Sequence, residues 1–167
     1  MAAEKKNRNV SSSTVEQINA QYGKLPPQAV EVEEAVLGAL MLERDAYVTV
    51  ADIIDTKSFY KEEHQKIFDA IKELSANEKP VDLLMVTQKL KDKNQLDEIG
   101  GPGYITQLTR RVASAAHIEF HSRIIAQKYI QRELIRVSSE IQVKSYDDTL
   151  DVDDLIDFSE SSLFQVA

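Results

Sequence analysis

The sequence predicts an all-α protein: a compact multi-helix globular bundle followed by a C-terminal hairpin built on one long helix. Three observations lead there. Apolar residues recur at three- and four-residue spacing along most of the chain, and no stretch shows the strict alternation of a strand. Residues 114–144 contain no Gly or Pro, so nothing in them breaks a helix. Hydrophobic content is 43% with only 7% aromatic residues and no Trp, so the core must be built from Leu, Ile, Val and Ala. At 167 residues the chain makes one large domain or two small ones, long enough to bury a core.

Taken in order, residues 1–24 are polar, with Ser11, Ser12 and Ser13 in the middle; they bury too little to offset ordering entropy and read as a disordered tail. Pro26 and Pro27 set the boundary of a globular subdomain, 25–112, and approach its first helix. Glu31, Glu33 and Glu34 fall near that helix's positive end, and Val32, Ala35, Val36, Ala39 and Leu40 form its buried face. Gly38 costs about 1 kcal/mol relative to Ala inside a helix, which marks a close approach by another backbone. A short helix over 47–54 follows, then the aromatic anchor Phe59-Tyr60. A third helix, 61–75, points Ile67, Phe68, Ile71 and Leu74 inward. Asp82 is an N-cap for a helix burying Leu83, Val86 and Leu90. Three of the five glycines cluster at 100, 101 and 103, a turn opening a short helix with Tyr104, Ile105 and Leu108. Arg110 and Arg111 suit that helix's negative end.

The hairpin occupies 113–167. Its long helix is capped near Ser114 and would run roughly 45 Å, against about 30 Å for the diameter of the domain before it. It carries one apolar line through Phe120, Ile124, Ile130, Leu134, Val137 and Ile141, and another through Ile118, Ile125 and Tyr129. Asp151, Asp153 and Asp154 then open a last helix with Val152, Leu155, Ile156, Leu163, Phe164 and Val166. Two apolar lines on an overhanging helix call for two partners, one of them outside the chain.

Composition narrows the function. A net charge of −8 opposes tight phosphate-dominated DNA binding. No Cys means no disulfide, no thiolate metal site and no thiol nucleophile, as is usual in a reducing cytoplasm. No apolar run approaches the roughly 18 residues of a membrane span, and no hydrophobic signal core is evident.

Several patterns invite sharper chemistry. His117 and His121 are spaced i, i+4 around Glu119, but a helical zinc protease needs H-E-x-x-H, which places the general base beside the first His. These read as solvated or hairpin-packing side chains, and His64 as a cap or core contact. The glycine turn lacks the preceding strand and following Lys of a phosphate loop. The acidic run 147–154 lacks the order of an EF-hand, and the aromatic residues lack the basic interleaving of a single-strand platform. No catalytic, cofactor-binding or metal-ligating residue is expected.

Six segments, in this order, resemble a known family: LPPQAVEVEEAVLGALML (25–42), FYKEEHQKIFDAI (59–71), KPVDLLMVTQKL (79–90), QLDEIGGPGYITQL (95–108), SAAHIEFHSRII (114–125) and LIDFSESSLF (155–164). Together they are similar to the N-terminal domain of bacterial replicative DNA helicases of the DnaB type. The resemblance runs from Leu25 to Ala167; the charge balance of the tail and turn departs from it. It implies a RecA-like ATPase motor, using ATP and Mg²⁺, further along the parent; its loop GxxxxGK[ST] does not occur in these residues. The chain alone is therefore expected to be non-catalytic. The resemblance implies a collar: domains paired through their hairpins, three pairs ringing the DNA in a hexamer, and a docking layer for the C-terminal domain of primase, in the bacterial cytoplasm at the replication fork. DNA contact is expected to be weak or confined to the channel, with no membrane contact. The hairpin residues assigned to such an interface are Ile118, Ile124, Ile125, Tyr129 and Leu134. Two alternatives stand beside it: a small metal-dependent hydrolase using His117 and His121, and a generic helical adaptor.

Overall fold

The computed structural model describes residues 16–17, 20–23, 25–112 and 115–167, and no strand occurs among them. Six consecutive residues, 36–41, are buried in the first helix, α1 (Val30–Leu42), so this helix is surrounded rather than laid on a surface. The sequence assigned it one buried face; Leu37 and Met41 are core as well. Around it pack α2 (Ala46–Val50), α3 (Glu62–Ala76), α4 (Leu83–Asp92) and α5 (Gly101–Arg110). The second helix is shorter than expected: residues 51–53 form a turn, and a 3₁₀ segment at Thr56–Ser58 follows. That segment is closed by a reciprocal cap between Asp55 and Ser58.

The local signals for α3, α4 and α5 match their ends. Asp82 Oδ1 accepts from the Met85 amide at 2.8 Å, the N-cap expected for α4. Gly100, at φ +105°, turns the chain into α5 in a region that side-chain-bearing residues rarely adopt. Gly38 fulfils its expected role: a Cβ there would overlap the Leu108 carbonyl and lie 2.6 Å from Val112 Cγ2. Its absence lets α1 and α5 cross at backbone contact.

The long helix is α6 (Ile118–Ser145), 28 residues, or roughly 42 Å. The expected cap, Ser114, lies outside the described residues, and Ala115–His117 lead in as a turn. The chain turns through 146–151, where Asp147 Oδ1 accepts from the Thr149 amide at 3.0 Å. It then enters α7 (Val152–Val166), whose N-cap Asp151 accepts from Asp153. Two of the acidic residues of this run are thus engaged in a turn and a cap.

By contacts the chain divides into two compact units. One is Gln28–Tyr129; the other is Ile130–Ala167 with the residues up to Pro27. The division falls inside α6, because its first turns contribute Ile118 and Ile125 to the core of the globular unit. The expected tail, 1–24, lies largely outside the described residues; Glu16, Gln17, Ala20 and Gln21 have helical backbone and are exposed.

Candidate interaction surface

Helix α7 buries no residue fully. At 100° per residue, Leu155, Phe158, Ser162 and Val166 share one stripe, and all four are half-buried. The adjacent stripe holds Val152, Ile156 and Leu163, which are 68%, 49% and 45% exposed. In the same unit α6 buries Val137 and Ser139, while Ile130 and Leu134, one turn apart, are each 41% exposed. Elsewhere on α6, Arg136 joins Glu133 and Glu140, a solvated charged face. Lys144 Nζ lies 4.7 Å from the centre of the Phe158 ring, joining α6 to α7 near their turn. This unit therefore half-buries one stripe of α7 and leaves aliphatic side chains of both helices in water.

The five residues assigned from sequence are not brought together. Ile118 and Ile125 are 7% and 1% exposed, packed in the core of the globular unit. They are unavailable to a partner while that core is closed, which corrects their assignment to an open face. The physical reason is that the sequence carries two apolar lines on α6 without showing which one the chain covers. Ile124 and Tyr129 are half-buried in the globular unit, and Leu134 is exposed in the other. Leu134 alone shares a line with other exposed aliphatics. Val152, Ile156 and Leu163 were assigned to α7 but not to a surface; their i, i+4, i+11 spacing is the signal that could have found them.

The globular unit contains a polar centre. Glu33 and His64 are both fully buried. Glu33 Oε1 accepts the Tyr60 amide at 2.6 Å, and Oε2 lies 2.6 Å from His64 Nδ1. His64 Nε2 lies 2.6 Å from the Tyr104 hydroxyl. Burial first, then the nearby Glu34 and Glu63, push the Tyr104 hydroxyl up to about 12. Tyr104 therefore keeps its proton, and the imidazole bridges the Glu33 carboxyl on Nδ1 and the Tyr104 hydroxyl on Nε2. This network ties α1, α3 and α5. It confirms His64 as a core contact and adds a buried partner to Glu33, which lies in the first turn of α1 as expected. Both residues precede core positions by three and four, Glu33 before Val36 and Leu37, His64 before Ile67 and Phe68. Two polar groups on inward faces must find each other.

Ion pairs cover the outer side of α3 and α4. Glu73 meets Lys89 at 2.8 Å and Lys93 at 2.5 Å, and Lys93 also meets Asp69 at 2.8 Å. Hydrogen bonds from Lys89 and then Lys93 hold the Glu73 carboxyl down at about 2. No described helix is long and apolar enough to cross a membrane.

An all-helical domain with a sealed globular unit and a partly open helical pair fits a family match over residues 25–127, described as "DnaB-like helicase N terminal domain". The chain belongs to that family, the N-terminal domain of replicative DnaB-like helicases. It is 41% identical over 90% of its length to the replicative DNA helicase DnaB of Rhodothermus marinus. It is 38% identical over 86% to that of Geobacillus stearothermophilus. It spans 16% and 32% of those relatives. Among solved structures, the N-terminal domain of DnaB helicase from Mycobacterium tuberculosis is 29% identical, with a TM-score of 0.80 over 84% of this chain and 99% of that one. A second, described as a DnaB-like replicative helicase and its interactions with primase, shares the fold at a TM-score of 0.69 and 22% identity, over 83% of this chain and 30% of that one.

Proposed function

We propose that this chain is the non-catalytic collar module of a replicative DNA helicase. It pairs through α6 and α7, three pairs form a hexameric ring around DNA, and the ring receives the C-terminal domain of primase. The observation that carries the pairing is the exposed aliphatic stripe of Val152, Ile156 and Leu163, with Ile130 and Leu134 in the same unit. In a two-fold pair each contact occurs twice. Completing the burial of half-exposed aliphatics yields about 1 kcal/mol each, so five residues from each copy supply about 10 kcal/mol of gross burial, against which the cost of bringing two copies together is set. Support for docking is fold-level: a DnaB-like helicase of the same fold interacts with primase. The net charge of −8 suits a ring that surrounds DNA without gripping it. The whole protein would act in the bacterial cytoplasm at the fork, its motor using ATP and Mg²⁺.

Sedimentation across a concentration series tests the pairing, with a dimer expected. A strict monomer at about 0.3 mM overturns it. Calorimetry with a primase C-terminal domain tests docking. Pairing without primase binding would make the chain a helical adaptor of another kind.

A further inference from the structure

His117 and His121 take no part in the core or in the exposed stripe of α7. The His121 amide donates to the His117 carbonyl at 2.9 Å, so His117 sits at the N-terminal boundary of α6, one turn ahead of His121. The ring centres are 6.3 Å apart and the planes meet at 61°. Both residues line one pocket of about 310 Å³, whose other walls include the small residues Ala35, Ala39, Ala115 and Ala116. The pocket's cation, Arg111, is paired with Glu34. Glu119 is turned away to Arg123 at 2.8 Å.

A zinc-like ion sits about 2.0–2.1 Å from each ligating imidazole nitrogen, which places its two ring centres roughly 5 Å apart at a tetrahedral angle. Closing the observed separation takes a shift of about 1 Å, within the reach of side-chain rotation alone. We propose that His117 and His121 form a two-histidine site for a divalent late-transition-metal ion, with solvent in the remaining coordination positions. Imidazole pairs suit Cu²⁺, Ni²⁺ and Zn²⁺ and leave Mg²⁺ in water. Among the described residues no group of three His, Asp or Glu side chains is placed to hold an ion. The ion is therefore exchangeable, and its open positions can accept a ligand from another molecule.

The test is calorimetric titration of the untagged protein, at one pH, with CuCl₂, NiCl₂, ZnCl₂ and MgCl₂. The expected result is one ion per chain, tightest for Cu²⁺ and undetectable for Mg²⁺. His117→Ala and His121→Ala should each weaken binding about tenfold or more, with helical circular dichroism unchanged. The Cu²⁺ electron paramagnetic resonance spectrum should show coupling to two nitrogens. Absence of saturable uptake of every ion up to about 1 mM overturns the site, as does uptake that is unchanged in both variants.

Discussion

The two units treat their apolar residues in opposite ways. In Gln28–Tyr129 the aliphatic residues of α1, α3, α4 and α5 converge on one core, and even the ionisable pair Glu33–His64 is sealed inside it. In Ile130–Ala167 the only large hydrophobic residue fully buried is Val137, while Val152, Ile156, Leu163 and Phe164 remain exposed. The difference follows from geometry. Over residues 36–41 α1 is enclosed by the helices around it, whereas a two-helix unit can cover at most one stripe of each rod. The globular unit thus closes a core of its own, with Val48, Leu84 and Phe120 left on its surface, whereas the terminal unit fully buries almost none of its apolar residues.

Substitutions break or sharpen this contrast. The largest effect is expected at the polar centre of the sealed unit. His64→Ala leaves Glu33 buried without its main partner and should cost about 3–5 kcal/mol in urea denaturation. If it costs under about 1 kcal/mol, the pair is not sealed. Next comes Gly38→Ala, which forces α1 away from the Leu108 carbonyl and should cost about 1–3 kcal/mol, read as a lower midpoint at unchanged slope.

On the rim of the same unit the effect shrinks, because Glu73 is more than a third exposed and screened. Its carboxyl is depressed from 4.5 to about 2. Its stabilisation is therefore present above pH 4.5 and is lost as pH falls toward 2. Glu73→Gln should cost less than about 1 kcal/mol at neutral pH and flatten the acid limb over that window. The smallest change in stability is expected in the open unit. Ile156→Gln with Leu163→Gln should leave the single chain within about 0.5 kcal/mol, yet remove self-association in sedimentation. A large loss of single-chain stability there would mean that these side chains are already covered by their own chain.

Much of the fold was legible because it rests on local chemistry. Asp82 as a cap, Gly100 at the entry to α5 (whose first turn takes in Gly101 and Gly103), and the inward line Ile67, Phe68, Ile71 and Leu74 each depend on residues within a turn or two of one another. Gly38 was legible for a different reason: a helix-interior glycine carries a local cost that only a close neighbour explains. The length of the second helix was less legible, since residues 51–54 have helical spacing but lead into the Asp55–Ser58 cap.

The candidate surface was half legible. An excess of apolar face on the terminal helices could be counted from the sequence. Which of those residues stay outside could not, since Ile118 and Ile125 follow the same periodicity as Ile130 and Leu134. By itself the sequence determined the helices, the Asp82 cap and the family, because these follow from short-range spacing and from motifs in order. Only the tertiary structure decided that Glu33, His64 and Tyr104 meet and that the stripe on α7 stays open. Partners 31 and 40 positions apart in the chain are chosen by packing, and no local period records which side of a helix its neighbours leave bare.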